Sequence, residues 1–340
     1  MPPVRHVRAS SDPSVAVRLL HRAPMLYANG ADAELDRPAH VRSASGIAWV
    51  GGMLAIVQDD ASFVAVVDAT APQRSRAIAL PRGPDGSRQF DDRRGNKHLK
   101  WDLEACFAVS PPRAPDEMLV AFGSGSTPMR EVALIVRGWT SGDPQPVLVR
   151  LPAFYRCLRE ATDFAGSELN VEGAVLIDGT LRLFGRGNGA RRGALTPLNA
   201  TCDLAWDAVW SHLESLGTTP APPPDNIVQY ALGDVAGVPL GFTDAATWGS
   251  EIVFTAAAEE SLDVTSDGPV SGSAVGIIYP DGPVLVAPLT DEGGAVLADK
   301  IEGIASIPGA SNELFLVADS DTPDRPSELC RARMEGAWRS

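Results

Sequence analysis

Cysteine and histidine are scarce in this chain. Four cysteines (Cys106, Cys157, Cys202 and Cys330) stand among 340 residues, with no CxxC spacing. That excludes a disulfide framework and a zinc knuckle, and it reads as reduced, mostly buried thiols. The five histidines (His6, His21, His40, His98 and His212) show neither HxH nor HExxH spacing, so zinc has no ligand set. Positive charge is also short: the formal net charge is −14. Such a chain repels nucleic-acid phosphates and anionic membranes, so neither is an expected partner. An acidic balance is compatible with a cation site. No run of about 18 apolar residues is available for a membrane-spanning helix. The opening MPPVRHVRASSDPS has no apolar signal core. A cytoplasmic location is therefore the expectation, and oligomeric state is left open.

Glycine and proline, by contrast, are plentiful, at 32 and 28 residues, and they fall between short apolar runs. This favours an all-β fold with many turns. Five times a polar residue leads into a small-residue apolar strand. The segments begin at Ser45, Glu104, Glu172, Thr243 and Glu302, about 60 to 70 residues apart. A second strand follows each: MLAIVQDD, MLVAFGSGS, LRLFGRGN, EIVFTAAAE and ELFLVADSD. Each interval holds three or four short strands, the content of one propeller blade. The last interval has only three, and SVAVRLL (14–20) can donate the missing outer strand.

The expected architecture is thus a five-bladed β-propeller, with six blades as the alternative. Residues 1–13 read as a polar tail, and 14–340 as one domain. The charged stretch 82–100 reads as a surface loop. Residues 203–216 place Leu204, Val209, Leu213 and Leu216 at helical spacings, which predicts a short inserted helix.

In a propeller the innermost strands line the axis. The five equivalent positions, Ser45, Glu104, Glu172, Thr243 and Glu302, would then converge on the channel. Three carboxylates so close would resist ionising without a partner. A hard cation resolves this, calcium better than magnesium, because calcium accepts six to eight oxygens in flexible geometry. The competing reading is a channel without metal, in which Lys100 and Lys300 neutralise the glutamates. Asp102, Asn170 and Lys300, two residues back along the strands, would line the channel too.

A second ring would sit on the loops after the second strands. It comprises Asp59, Asp60, Ser124, Ser126, Arg130, Arg186, Asn188, Glu259, Glu260, Asp319 and Asp321. Arg130 and Arg186 could clamp an anionic group, with Ser124, Asn188 and Asp319 beside it. Asp59, Asp60 or Glu259 could orient or deprotonate a water. Taken singly, DD, SGS and DSD are ordinary turn formers. The GRGNG segment at 185–189 has no helix after it for a dinucleotide fold, and FGSGS is not a nucleophile elbow.

The Ser/Glu/Glu/Thr/Glu order, ending in Lys300-Ile301-Glu302-Gly303-Ile304, resembles the five-bladed calcium-activated apyrases. In those proteins a Ser/Glu/Glu/Ser/Glu ring binds calcium in the central tunnel. The resemblance implies calcium ligation by Ser45, Glu104, Glu172 and Glu302, with Thr243 in place of a serine. The Glu-Gly strand starts equally resemble the phytase-like esterase propellers of bacteria. The expected function is a calcium-dependent hydrolase acting on a phosphate ester, anhydride or other small anionic ester or lactone. The alternative is a non-catalytic propeller that binds a small ligand or a protein, with a structural ion.

Overall fold

The computed structural model describes residues 4–110, 116–139, 141–260 and 268–338. Its strands fall into five antiparallel quartets. Quartet 1 is Ala44–Val50, Met53–Gln58, Phe63–Val67 and Arg76–Ala79. Quartet 2 is Leu103–Val109, Met118–Gly123, Val132–Arg137 and Gln145–Arg150. Quartet 3 is Val171–Ile177, Thr180–Gly185, Asn199–Ala205 and Asp225–Ala231. Quartet 4 is Val238–Trp248, Glu251–Glu259, Val270–Ile278 and Val284–Thr290. Quartet 5 is Lys300–Ser306, Glu313–Asp319, Glu328–Glu335 and, from the other end of the chain, Ala16–Pro24. A two-residue parallel pairing of Leu289 and Thr290 with Val17 and Arg18 joins quartets 4 and 5, which together with the short strand Asp234–Val235 beside Val238–Trp248 make one nine-stranded sheet.

The first strand of every quartet lies beside the first strand of the next, and Lys300–Ser306 lies beside Ala44–Val50. The inner strands therefore form a closed ring, which is the architecture of a β-propeller. Five apolar cores, one between each neighbouring pair of quartets, hold the ring together. The sequence explains the inner strands. Residues such as Ile47, Ala48, Ala105, Ala174, Ala245 and Ala305 are small or β-branched, so strands can crowd about an axis while both faces are buried.

Several features differ from the sequence reading. Of the stretch read as a tail, residues 1–3 lie outside the described residues, and Arg5–Arg8 is a strand running parallel to Asp225–Ala231. Ser10 then bridges Leu285 in quartet 4. The inserted helix is shorter than 203–216: it covers Trp206–Glu214, because Asp203 and Leu204 are still paired in the strand. A second helical insertion, Pro152–Glu160 and Thr162–Ala165, was not anticipated. It buries Phe154, Tyr155, Leu158 and Phe164 between quartets 2 and 3, and the Tyr155 hydroxyl donates to the Gly123 carbonyl (2.7 Å). The 82–100 stretch is not simply a surface loop. Phe90 is fully buried and Asp91 nearly so, because the buried Arg42 guanidinium reaches the Phe90 carbonyl (3.0 Å) and the Asp91 carboxylate (3.3 Å).

Candidate active site at one mouth of the channel

The recurring polar residue has a specific backbone cause. In each inner strand the pairing register slips by one residue at that position: between Ala44 and Ile47, Leu103 and Ala105, Val171 and Gly173, Phe242 and Asp244, and Ile301 and Gly303. Glu104, Glu172, Thr243 and Glu302 are each the extra residue of a β-bulge, and Ser45 lies within the slip of quartet 1. A bulge frees one residue from the ladder and re-aims its side chain. The small residue that follows has its own reason. A Cβ on Gly46 would lie 2.2 Å from the Glu104 carbonyl, and one on Gly303 would lie 2.3 Å from the Ser45 carbonyl. Glycine here lets neighbouring inner strands touch.

These bulges place Ser45, Glu104, Glu172 and Glu302 on the wall of one polar cavity of about 220 Å³. Asp59, Asp60, Arg130, Arg186, Asn188, Glu259, Asp319 and Asp321 line it as well, with Lys100, Asp102, Asn170 and Lys300. Most of the two expected rings therefore meet at one mouth. Thr243 departs from this: it is fully buried and is not on the cavity wall. Ser124 and Ser126 stand behind the wall, bonded to each other (2.9 Å), while Ser124 donates to Asp102. Glu260 is likewise outside this cavity and borders a neighbouring surface pocket.

The charges are organised in pairs. Lys100 Nζ lies 2.6 Å from Asp59, 2.8 Å from Asp60 and 2.8 Å from Asp102. Arg130 lies 2.9 Å from Asp102. Arg186 is gripped by Glu259 and lies 3.5 Å from Glu172, whose carboxylate also accepts from Asn170 (2.6 Å). Lys300 lies 2.8 Å from Glu302. Arg130 and Arg186, expected to clamp a substrate, line the cavity, and both are buried and paired with carboxylates of the protein. Glu259 is committed too, holding Arg186 and accepting from the Gly268 amide (2.7 Å). Asp319 is held by Ser327 (2.7 Å) and caps the Asp321 amide (2.8 Å). Arg42 and Asp91, which the sequence did not single out, also stand on the wall, as do Asp92, Arg93 and Lys97. Charge type was legible at those positions, but the folding-back of 82–100 onto the mouth was not.

Carboxylates outnumber cationic side chains on this wall, and their acidities register the excess. Burial, with Asp60 close by, pushes Asp59 up to about 7, although Lys100 opposes the shift. Burial pushes Glu172 up to about 8, Arg186 opposing and Glu302 adding. Glu104 is driven well above the carboxylate range by burial, Glu172 and Asp102. Burial alone would raise Asp102 too, but Lys100 and Arg130 outweigh it and hold that carboxyl below its usual value.

The residues present fit a cation. Asp59, Asp102 and Glu104 bring carboxylate oxygens within 4.8 Å of one another. One buried oxygen of Glu302 has no hydrogen-bond partner. All donors are hard oxygens, the set that suits calcium or magnesium rather than zinc. Among the described residues no helix is long and apolar enough to cross a membrane.

Comparison with solved structures finds glutaminyl cyclase of Myxococcus xanthus at 12% identity and a TM-score of 0.48, covering 98% of this chain and 99% of that one. A glycosyl hydrolase from Bacteroides ovatus is similar at 10% identity and 0.42, covering 86% and 84%. An exo-1,5-α-L-arabinanase from a bovine ruminal metagenomic library is similar at 10% and 0.43, covering 86% and 92%. No curated protein matches the sequence. A family profile matches residues 40–334, from just before the first inner strand to the end of the last quartet, and the chain belongs to that family, DUF6929, a family of unknown function.

Proposed function

We propose that the protein is a cation-dependent hydrolase of a small anionic ester, anhydride or lactone, phosphate esters included. It works at the acidic mouth of a five-bladed propeller in which each quartet is one blade. The observation that carries this reading is the ring of bulges. They hold Glu104, Glu172, Glu302 and Ser45 on one cavity wall, beside an Asp59 carboxyl poised near neutrality.

Glu104, Glu172, Glu302 and Ser45 would hold the cation, calcium by preference, because the ring offers hard oxygens on separate strands rather than a tight octahedron. Such an ion would polarise an ester or phosphoryl oxygen and offset the repulsion between the carboxylate wall and an anionic substrate. Asp59 is the general base: a pKa of about 7 lets it accept a proton from water at neutral pH while still returning it. Lys100, 2.6 Å away, orients Asp59 and keeps part of its population ionised. Asp60, on the same lysine, adds to the raised basicity of Asp59. Arg130 and Arg186 hold Asp102, Glu172 and Glu259 in place. The partner is a small anion, and neither nucleic acid nor membrane is proposed.

A second reading has its own observation. Lys100 and Lys300 already neutralise several of the carboxylates, as in a channel that ties blades together without chemistry. The two separate in one screen. Purified protein is assayed with EDTA, then with added calcium, against phosphate esters, nucleotides and lactones. The hydrolase reading requires calcium-restored turnover that falls by about 100-fold or more in Asp59→Asn. Glu104→Gln should lower the calcium response while the protein stays folded. No turnover, together with a large calcium-induced rise in Tm, establishes the structural role instead.

A further inference from the structure

A second cavity stands apart from the acidic mouth and shares none of its lining residues. It is larger, about 640 Å³ against about 220 Å³. That volume falls within the range of about 300–1,000 Å³ usual for small-molecule sites. Three parts of the chain line it. One is the edge strand of quartet 1, Arg76–Ala79, with Val66 opposite Arg76. Another is the segment at Tyr27 and Asn29, with Arg37. The third is Trp139 and Pro144, between the third and fourth strands of quartet 2.

The charge of this cleft is opposite to that of the molecule. The chain carries a net charge of −14, yet among the described residues no carboxylate lines the cleft and three arginines do: Arg37, Arg74 and Arg76. None of the three forms an ion pair with a described residue. The one side-chain hydrogen bond they make runs from Arg37 Nη2 to the Gly30 carbonyl (3.0 Å). At the acidic mouth, by contrast, Lys100, Arg130 and Arg186 are all held by carboxylates. Unpaired guanidinium groups keep their donor edges available for an oxyanion.

The backbone brings the three arginines to one place. Ser75 is extended (φ −62°, ψ 153°) and buried, with its hydroxyl donating to the Pro72 carbonyl (2.8 Å). Its neighbours Arg74 and Arg76 therefore project to the opposite, exposed side. The Ser75 amide donates to the Leu26 carbonyl (2.9 Å), and its carbonyl accepts from the Ala28 amide (2.9 Å), which sets Tyr27 alongside. Arg37 rests on the Tyr27 ring, its guanidinium carbon 4.9 Å from the ring centre. Reciprocal backbone bonds between Asp32 and Arg37 (2.8 and 2.9 Å) close the turn that delivers it. Stacking and the Gly30 bond fix the Arg37 side chain without neutralising it. Half-buried Trp139, with Val66, Ile78 and Pro144, adds apolar surface to the same cleft.

We propose that this cleft binds a small organic oxyanion, a carboxylate or phosphate carried on a flat apolar body. Arg37, Arg74 and Arg76 take the charged head, and Trp139 and Ile78 take the body. Binding here is independent of the hydrolase reading, because the acidic cavity contributes no residue to it.

The test is titration calorimetry on the full chain in EDTA at low salt, with phenylphosphonate and benzoate as probes. The P–C bond of the first excludes turnover at the mouth. Wild type should bind at least one of them, and the tighter of the two tells a phosphate head from a carboxylate head. The double variant Arg74→Gln/Arg76→Gln changes two exposed side chains and leaves the Ser75 backbone bonds in place. It should stay folded by circular dichroism and bind at least about tenfold more weakly. Salt at about 0.5 M should weaken wild-type binding, as screening of an exposed charged contact requires. Benzylammonium, the same ring with a positive head, should not bind. Crystals soaked in phenylphosphonate should show the probe between Arg76 and Trp139. Wild type that binds neither anionic probe overturns the site, as do undiminished affinity in the double variant, equal affinity for benzylammonium, or a soaked probe seen only at the acidic mouth. None of these outcomes bears on calcium-dependent turnover, which the screen above reads separately.

Discussion

Lys100 is the residue on which most of the mouth depends. Its ammonium group is buried against three carboxylates, and their attraction outweighs burial to keep its pKa well above the ordinary lysine value. Lys100→Met would leave Asp59, Asp60 and Asp102 close together and short of a cation. Breaking a buried ion pair from one side costs about 3–5 kcal/mol, and chemical denaturation should show a loss of that size. The raised carboxyls make a second prediction. Asp59, at about 7, and Glu172, at about 8, take up protons on folding in the ion-free protein. Their contribution to stability is complete below the unfolded carboxylate pKa of about 4 and is lost as pH rises through 7 and 8. Melting scans in EDTA should therefore show Tm falling across that window, and calcium should flatten the fall while releasing protons that calorimetry in buffers of different ionisation enthalpy detects. A Tm that rises from pH 6 to 8 in EDTA would contradict this assignment. The ionisable residues themselves were legible in the sequence. Which of them pair was not: Arg130 meets Asp102 through the folding of quartet 2, and Arg186 meets Glu259 only where quartets 3 and 4 lie side by side.

At the scale of elements, the repeating unit is a bulge followed by a small residue. The polar position was visible as a five-fold recurrence, but the bulge was not, because a register slip belongs to two strands and is not written in one. The glycine after it is a close-approach residue. Gly303→Ala places a methyl group 2.3 Å from the Ser45 carbonyl, a backbone atom that can move only by shifting a strand. The expected cost is about 1–3 kcal/mol or more in urea unfolding. If calcium is bound at the ring, its affinity should fall in the same variant, because Ser45 and Glu302 move apart. Unchanged stability in Gly303→Ala would mean that the inner strands are less tightly apposed than described. The helix Pro152–Glu160 was missed although its signals were present. Pro152 stands in the first turn, and Phe154 and Leu158 are four apart on one buried face. The segment is short, and it interrupts a run of strands whose period dominated the reading.

Across the whole molecule, the N-terminal segment works as a strap. Arg5–Arg8 pairs with the outer strand of quartet 3, Ser10 bridges the outer strand of quartet 4, and Ala16–Pro24 is the outer strand of quartet 5. It covers exposed edges on three successive quartets, which are otherwise templates for aggregation. Removing residues 1–11 should keep the ring closed, because Ala16–Pro24 remains. It should nonetheless lower Tm and increase light scattering on heating, relative to the full chain. A truncated protein with the same Tm and no added scattering would show the strap to be dispensable.

By itself the sequence determined the all-β class, the five recurring polar positions and the donation of an N-terminal strand to the last quartet. Each of these follows from local periodicity, turn residues and simple recurrence, which are properties of short stretches. Only the tertiary structure decided depth and partnership. Ring closure placed Glu104, Glu172 and Glu302 at the mouth. It buried Thr243 and Asp244 and paired Arg130 and Arg186 with carboxylates of the protein. Those outcomes depend on distances between strands that are far apart in sequence, and no one-dimensional pattern contains them.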